Sequence, residues 1–162
     1  MKELELRMYG LTPYNLSPIQ KGIQFGHAVV EYSLDFNKSF LYSEWAKKHK
    51  TFIILDGGTT NNSLNEDGLY KGTLNNYKKE LEDNGINISS FNEPDLGDQL
   101  TAVTFIVDER VFDRKKYPDY VIWLEENKKY HNTEIYNEWL NFIGGEKNEF
   151  LRNFLKNFNL AR

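Results

Sequence analysis

The sequence predicts a small three-layer α/β/α domain with a four-stranded mixed sheet, followed by a C-terminal helical extension. Three observations lead to this prediction. Segments typical of strands and of helices alternate over residues 1–109. An uninterrupted apolar run at 51–58 ends in two glycines, as is typical of a strand covered on both faces. Beyond residue 109 the pattern is purely helical, so we divide the chain into domains at 1–109 and 110–162.

The first strand and the first helix are predicted within the opening 35 residues. Residues 4–11 alternate well enough for a strand. Ser17 is placed to cap a helix over residues 18–33, and Pro18 suits its first turn. Four aliphatic residues with helical spacing predict the side of this helix that faces the core, and they are Ile19, Ile23, Val30 and Leu34.

A second, short helix is predicted at residues 40–50, with Leu41 and Trp45 turned toward the core. The apolar run at 51–58 then predicts a central strand. A polar, turn-rich loop follows at 59–72 and is expected at the surface.

The domain is completed by one helix and two strands. The helix is predicted to begin with Thr73 as its N-cap and to end at Gly85. Strands are predicted at 86–91 and 100–109 from their β-branched content. Since only a short connection separates these two strands, they should run antiparallel and make the sheet mixed.

The C-terminal extension carries two amphipathic groups of residues, separated by Gly144 and Gly145. The groups are Trp139, Phe142 and Ile143, then Phe150, Leu151, Phe154, Leu155 and Phe158. Because neither group can stay exposed to water, the extension should pack on the domain or on a partner, with a homodimer as the strongest form of the second. Basic residues interleave with these phenylalanines, so an RNA-stacking or membrane-surface helix is the alternative.

Composition excludes several classes of protein. The chain has no cysteine, which excludes disulfides and thiolate metal sites and fits a reducing compartment. Its start lacks the apolar run of a signal peptide and no stretch approaches 18 apolar residues, so we expect a cytoplasmic protein without a membrane partner. The three histidines are scattered, and we expect neither a metal site nor a cofactor.

Charge bears on nucleic-acid binding. The formal net charge is −4, with acidic residues in excess over 1–109 and basic residues in excess over 110–162. A broad nucleic-acid footprint requires clustered lysine and arginine, so the balance argues against one and leaves room for a small local patch.

The first helix carries a candidate site. Gln20, Gln24 and His27 follow i, i+4, i+7 spacing and form one polar line on the helix. Gly22 and Gly26 lie among them, and each costs about 1 kcal/mol relative to alanine in a helix interior. Either a ligand or another backbone comes close to these glycines, or the helix packs tightly on the sheet. In the second case the glutamines are solvated and the histidine bonds to the main chain.

A second candidate is the acidic segment before the last strand, where Glu93, Asp95 and Asp98 lie within six residues. A carboxylate beside a lysine can activate water as a general base, and Lys21 can stabilise an oxyanion. The alternative is a loop whose acids cap turns and keep it soluble.

Two segments resemble the type 2 peptidyl-tRNA hydrolase family. "QKGIQFGHAVVEY" is similar to the family's first-helix signature, a Gln-x-x-His-Ala that falls here on Gln24, His27 and Ala28. "SSFNEPDLGDQLTAVTF" resembles the family's penultimate loop and last strand. The predicted element order also matches the family's small α/β fold, and the resemblance covers about residues 3–109.

The sequence departs from the family pattern at two points. Hydrolytic members carry a lysine one turn before the glutamine; here Gln20 occupies that position and Lys21 lies about 100° round the helix. The family's Asp-x-Gly-x-Thr loop is replaced by "EPDLG" at 93–97, with Thr101 four residues past Gly97. The chain is therefore more similar to the divergent members found in bacterial and phage genomes.

The resemblance implies an esterase that acts on the 3′ end of peptidyl- or acyl-tRNA without a cofactor. Its catalytic residues would be Lys21, Asp95 and Thr101. Its substrate-binding residues would be Gln20, Gln24, His27, Glu93 and Gly97. The alternative is a binding module of the same fold, without hydrolytic activity, that recognises a nucleotide, an RNA or a host protein.

Overall fold

A computed structural model describes residues 2–162. The chain forms two compact units. The α/β unit consists of Leu6–Val107 and Phe158–Arg162, and the helical unit consists of residues 2–5 and Asp108–Asn157. The last five residues of the chain therefore belong with the sheet and not with the helices that precede them.

A four-stranded mixed sheet forms the centre of the α/β unit, as predicted. Its strands are β1 (Leu6–Thr12), β2 (Thr51–Asp56), β3 (Ser89–Glu93) and β4 (Gln99–Asp108), in the spatial order β2-β1-β4-β3. β1 and β2 run parallel, and β3 and β4 run antiparallel.

Helices cover both faces of the sheet, so the three layers are confirmed. They are α1 (Pro18–Asp35), α2 (Phe40–Glu44), which continues into a π-helical turn (Trp45–His49), and α3 (Thr73–Asp83). On one face, Phe25 of α1 packs in a cluster with Met8 of β1. On the other face, Leu74 of α3 and Leu11 of β1 both border Gly57. Met8 and Leu11 point to opposite faces because side chains alternate along a strand.

The start of α1 is as predicted, but its orientation is not. The hydroxyl of Ser17 accepts a hydrogen bond from the N–H of Gln20 at 3.2 Å, so Ser17 caps the helix. The aliphatic side expected to face the core instead faces outward, and all four of its residues are exposed. The buried residues are Lys21, Gln24, Phe25, Ala28 and Tyr32. Burial of Lys21 and Gln24 is tolerated because both side chains have hydrogen-bond partners inside the unit.

β2 is not the central strand that its apolar run predicted, because β1 is its one neighbour within the sheet. Its other side bonds to residues 159–161. The N–H of Asp56 donates to the carbonyl of Asn159, and the N–H of Ala161 donates to the carbonyl of Ile54, both at 2.9 Å. β2 is thus hydrogen-bonded on both sides, but the second partner comes from a distant part of the sequence.

Three smaller predictions are corrected. Gly72 and not Thr73 occupies the N-cap of α3, because the hydroxyl of Thr73 donates to the carbonyl of Gly57. Leu41 is exposed, whereas Trp45 is buried as expected and donates to the carbonyl of Thr51. A Cβ added at Gly22 or Gly26 would meet no atom within 4 Å, so close packing of α1 on the sheet does not explain these glycines.

The helical unit consists of four short helices: α4 (Glu109–Phe112), α5 (Tyr120–Glu126), α6 (Thr133–Phe142) and α7 (Glu146–Phe154). Trp123, Trp139 and Ile143 pack in its apolar cluster. Arg152 is buried in the same unit and donates to the carbonyl of Arg110 and to Asp119. Among the described residues, no helix is both long and apolar enough to cross a membrane.

Candidate functional site

A network of three polar side chains joins α1, β3 and β4. Gln24 is 3% exposed and lies at its centre. The Nε2 of Gln24 donates to Oε2 of Glu93 at 2.7 Å, and the hydroxyl of Thr101 donates to Oε1 of Gln24 at 2.5 Å. The fold therefore gathers three of the predicted site residues, which are separated by up to 77 positions in sequence.

The carboxylate of Glu93 fixes the direction of every bond in this network. An ionised carboxylate can only accept, so the amino group of Gln24 must face it. The carbonyl oxygen of Gln24 then faces the hydroxyl of Thr101, which has one hydrogen to give. Thr101 is buried, so its hydroxyl holds Gln24 in place and is not available to a ligand from solvent.

A bulge in β4 positions Thr101 at α1. Phe91 of β3 pairs with Ala102, and the next residue, Asn92, pairs with Leu100. Thr101 is thus the extra residue of β4 in the register with β3, although its hydroxyl also lies 3.3 Å from the carbonyl of Phe91. Such a bulge changes the direction in which side chains point along a strand.

The loop after β3 holds Glu93 from two directions. Its Oε1 accepts from the N–H of Asp95 at 3.3 Å, while its main-chain oxygen accepts from the N–H of Asp98. The hydrogen bond from Gln24, then that from the main chain of Asp95, and to a smaller extent the charge of His27 lower the pKa of Glu93. Glu93 is therefore ionised over the whole neutral range.

An aromatic pair borders the network. The imidazole of His27 stacks on the ring of Phe91, with centroids 4.4 Å apart and planes 23° apart. His27 as a whole is exposed on α1. The pair and the carboxylate of Glu93 together form one small surface with a flat ring and an acceptor.

Lys21 lies about one turn before Gln24 on the same buried side of α1, but it has a different partner. It is 6% exposed, and its ammonium donates to the main-chain oxygen of Arg162 at 2.9 Å. Within the described part of the chain its bond is to Arg162 and to neither Glu93 nor Asp95. The structure therefore does not bring the predicted oxyanion donor to the acidic loop.

The remaining predicted site residues lie at the surface. The side chain of Gln20 is exposed on α1, one turn before Gln24. Asp95 is exposed in the 3₁₀ turn Pro94–Leu96, where its N–H and not its carboxylate contacts Glu93. Gly97 follows with φ of 66°, a left-handed conformation that glycine adopts without strain, and a Cβ there would meet open space.

Two residues of this region were missed by sequence reasoning. Phe91 ends the segment "SSF", and nothing there distinguishes a ring that packs in the core from one that stacks on a histidine. Arg162 was missed because its contribution is a main-chain oxygen, which carries no sequence signal. Within residues 2–162 the structure groups no three side chains of the metal-ligating types closely enough for a metal site.

The chemistry available at this surface is recognition. An ionised carboxylate accepts hydrogen bonds, and one whose pKa is lowered is a weak general base. A solvent-facing imidazole beside it offers a planar surface and a polar edge. Neither a family model nor a curated protein matches this chain, so the resemblance to peptidyl-tRNA hydrolases stays a prediction.

Proposed function

We propose that the α/β unit is a binding module for the 3′-terminal nucleoside of an RNA, with tRNA as the first RNA to test. It would share the fold of the peptidyl-tRNA hydrolase-like proteins without their hydrolytic lysine. The observation that carries the proposal is that Gln24 and Lys21, which share the buried side of α1, bond to different parts of the chain. Gln24 bonds to Glu93 and Thr101, whereas Lys21 bonds to the main-chain oxygen of Arg162.

The surface beside Gln24 suits a nucleoside on two counts. Bases stack on aromatic and histidine rings, and His27 presents such a ring, held flat against Phe91. The hydroxyls of a terminal ribose are donors, and the carboxylate of Glu93 is an acceptor. Gln20, exposed one turn away, adds an amide that can both donate and accept.

The same geometry argues against hydrolysis. A general base works best when its pKa lies near the working pH, and the pKa of Glu93 is shifted the other way. Stabilisation of an oxyanion requires a donor about 3 Å from the reacting oxygen. The predicted donor, Lys21, instead bonds to the main-chain oxygen of Arg162.

Binding to two RNAs tests the proposal: an intact deacylated tRNA and the same tRNA shortened by its last nucleotide. We expect the intact tRNA to bind more tightly, and His27→Ala and Glu93→Gln to remove that difference. His131→Ala and Glu66→Gln are the matched controls, since both residues are exposed and lie outside the site. Equal binding of the two RNAs by the parent protein would refute the proposal.

An esterase is the second candidate, and one observation favours it. The ammonium of Lys21 is held by a single main-chain oxygen in a five-residue segment, which a substrate could displace. Hydrolysis of N-acetylated aminoacyl-tRNA should be measured for the parent, Lys21→Ala and Gln20→Lys. Turnover by the parent that falls in Lys21→Ala would establish the esterase. Turnover by Gln20→Lys alone would indicate a hydrolase fold that now only binds.

A further inference from the structure

The outward side of α1 is an aliphatic surface that residues 2–162 leave exposed. Ile19, Ile23, Val30 and Leu34 are 76%, 44%, 58% and 65% exposed. They extend over 16 residues, or about 22 Å of helix, and expose on the order of 400 Å². A contiguous patch of that size on a single chain is commonly an interaction site. We call it the aliphatic face of α1.

Two glycines, Gly22 and Gly26, lie beside this face, so no side chain projects from the helix at those positions. Nothing lies within 4 Å of where a Cβ would stand at Gly22 or Gly26. Each glycine costs about 1 kcal/mol of helix stability, and no contact that the structure describes makes use of the missing side chain. Small residues beside aliphatic ones allow the backbone of another helix to approach closely.

The spacing of the aliphatic face is the same when read from either end. Ile19 and Leu34 are equally far from the point between Gly26 and His27, and so are Ile23 and Val30. A two-fold contact has the same property, since residue i meets residue j and residue j meets residue i. Two antiparallel copies of α1 would therefore place aliphatic against aliphatic at all four positions.

We infer that the aliphatic face of α1 binds a second copy of this chain, with the two α1 helices antiparallel. Ile19 then packs on Leu34 of the other copy, Ile23 packs on Val30, and the axis passes beside Gly26. The face carries no Asp, Glu, Lys or Arg, so the pairing brings no like charges together. The inference rests on exposure and spacing and is independent of the proposed function.

The area predicts a weak dimer. A standard interface buries about 800 Å² on each partner, roughly twice what the four aliphatic residues expose. Residues that flank the face must supply the remaining buried area. An interface of this small area is typical of weak dimers, so we expect a dissociation constant in the micromolar range or above.

Sedimentation equilibrium tests the dimer over protein concentrations up to about 1 mM. We expect a monomer–dimer equilibrium that Val30→Lys weakens by at least about tenfold, because the lysine would enter an apolar contact. Val121→Lys is the matched control, a valine 65% exposed on α5, and should leave the equilibrium within about twofold. A parent protein that stays monomeric, or a dimer that Val30→Lys does not weaken, would overturn the inference.

Disulfide cross-linking tests the antiparallel arrangement. Because the sequence contains no cysteine, only the introduced cysteines can form a cross-link. Ile23→Cys and Val30→Cys, prepared separately and mixed under mild oxidation, should give mainly the 23–30 cross-link. Parallel helices would instead join like positions, 23–23 and 30–30, and that result would rule out the arrangement. Gly26→Ala provides a further check, since it should stabilise the monomer yet weaken the dimer.

Discussion

The ammonium of Lys21 donates a hydrogen bond of 2.9 Å to the main-chain oxygen of Arg162, which lies 141 residues further along the chain. A buried ammonium needs such a partner, because its transfer out of water is costly when it is unpaired. The contact ties α1 to the segment that pairs with β2, so the state of that segment decides whether Lys21 is accessible.

Proline substitutions in this segment test that link. Ala161→Pro removes the N–H that donates to Ile54, and we expect the segment to detach and Lys21 to become more reactive toward an acetylating reagent, measured by mass spectrometry. Leu160→Pro is the control, because the N–H of Leu160 makes no bond to β2. Similar reactivity of Lys21 in both variants would contradict the expectation.

Gln24 should contribute measurably to stability. Gln24→Ala removes the hydrogen bond to Glu93 and the short bond from the buried hydroxyl of Thr101, at an expected cost of about 1–3 kcal/mol in the free energy of unfolding. Urea denaturation measures this cost. Gln20→Ala, at an exposed glutamine of the same helix, should change stability by less than about 0.5 kcal/mol. A cost for Gln24→Ala no larger than that of the control would show that the network does not stabilise the fold.

Glu93 should show the pH dependence of a carboxyl whose pKa is lowered by folding. Such a group contributes stability above its ordinary pKa of 4.5, and the contribution is lost as the pH falls through the lower value of the folded state. Gln24→Ala removes the main cause of the shift, so the pKa of Glu93 should rise toward 4.5 in a ¹³C NMR titration of its carboxyl carbon. The same titration in Gln20→Ala should match the parent; a shift there would assign the effect to another cause.

Two glycines in the α/β unit should respond to alanine with opposite signs. A Cβ at Gly10 would lie 2.2 Å from the ring of Phe25, so Gly10→Ala should destabilise the protein by about 1–3 kcal/mol. Gly22→Ala meets open space in a helix and should stabilise it by about 0.5–1 kcal/mol. Both changes are measured by urea denaturation at a concentration where the chain is monomeric. Loss of stability in Gly22→Ala would show that an unseen contact uses that position.

Arg152 in the helical unit should not tolerate lysine. One of its nitrogens donates to the carbonyl of Arg110 and another to Asp119, a fork that a lysine cannot reproduce. Arg152→Lys should therefore lower the free energy of unfolding by about 1–3 kcal/mol. Arg114→Lys is the comparison: Arg114 likewise bonds to Asp119 and to a main-chain carbonyl, that of Arg152, but it is partly exposed, so we expect a cost of less than about 1 kcal/mol. Equal losses of unfolding free energy in the two variants would show that the burial of Arg152 does not make its replacement more costly.

Sequence patterns predicted the elements well, because the signals for them are local. The cap at Ser17, the β-branched content of β4 and the glycines at 144 and 145 each act through a few neighbouring residues. The order of strands and helices and the mixed sheet follow from such signals together with the short connection between β3 and β4.

The orientation of α1 could not be predicted in this way. Periodicity identified two faces, one aliphatic and one mixed, and the usual rule buries the aliphatic one. The mixed face is buried because partners from distant positions, Glu93, Thr101 and Arg162, satisfy its polar groups. The same periodicity did single out Gln24 as a candidate, because polar residues with helical spacing are conspicuous in a helix that also has an aliphatic side.

The pairing of residues 159–161 with β2 also bears on how the protein avoids aggregation. A strand at the border of a sheet offers unpaired N–H and carbonyl groups on which the strand of another molecule can add. Here residues 159–161 cover that border through two main-chain hydrogen bonds, beside the exposed side chain of Phe52 on β2. Shortening the chain before residue 158 would uncover that edge, so a truncated protein should associate through its sheet rather than simply lose a tail.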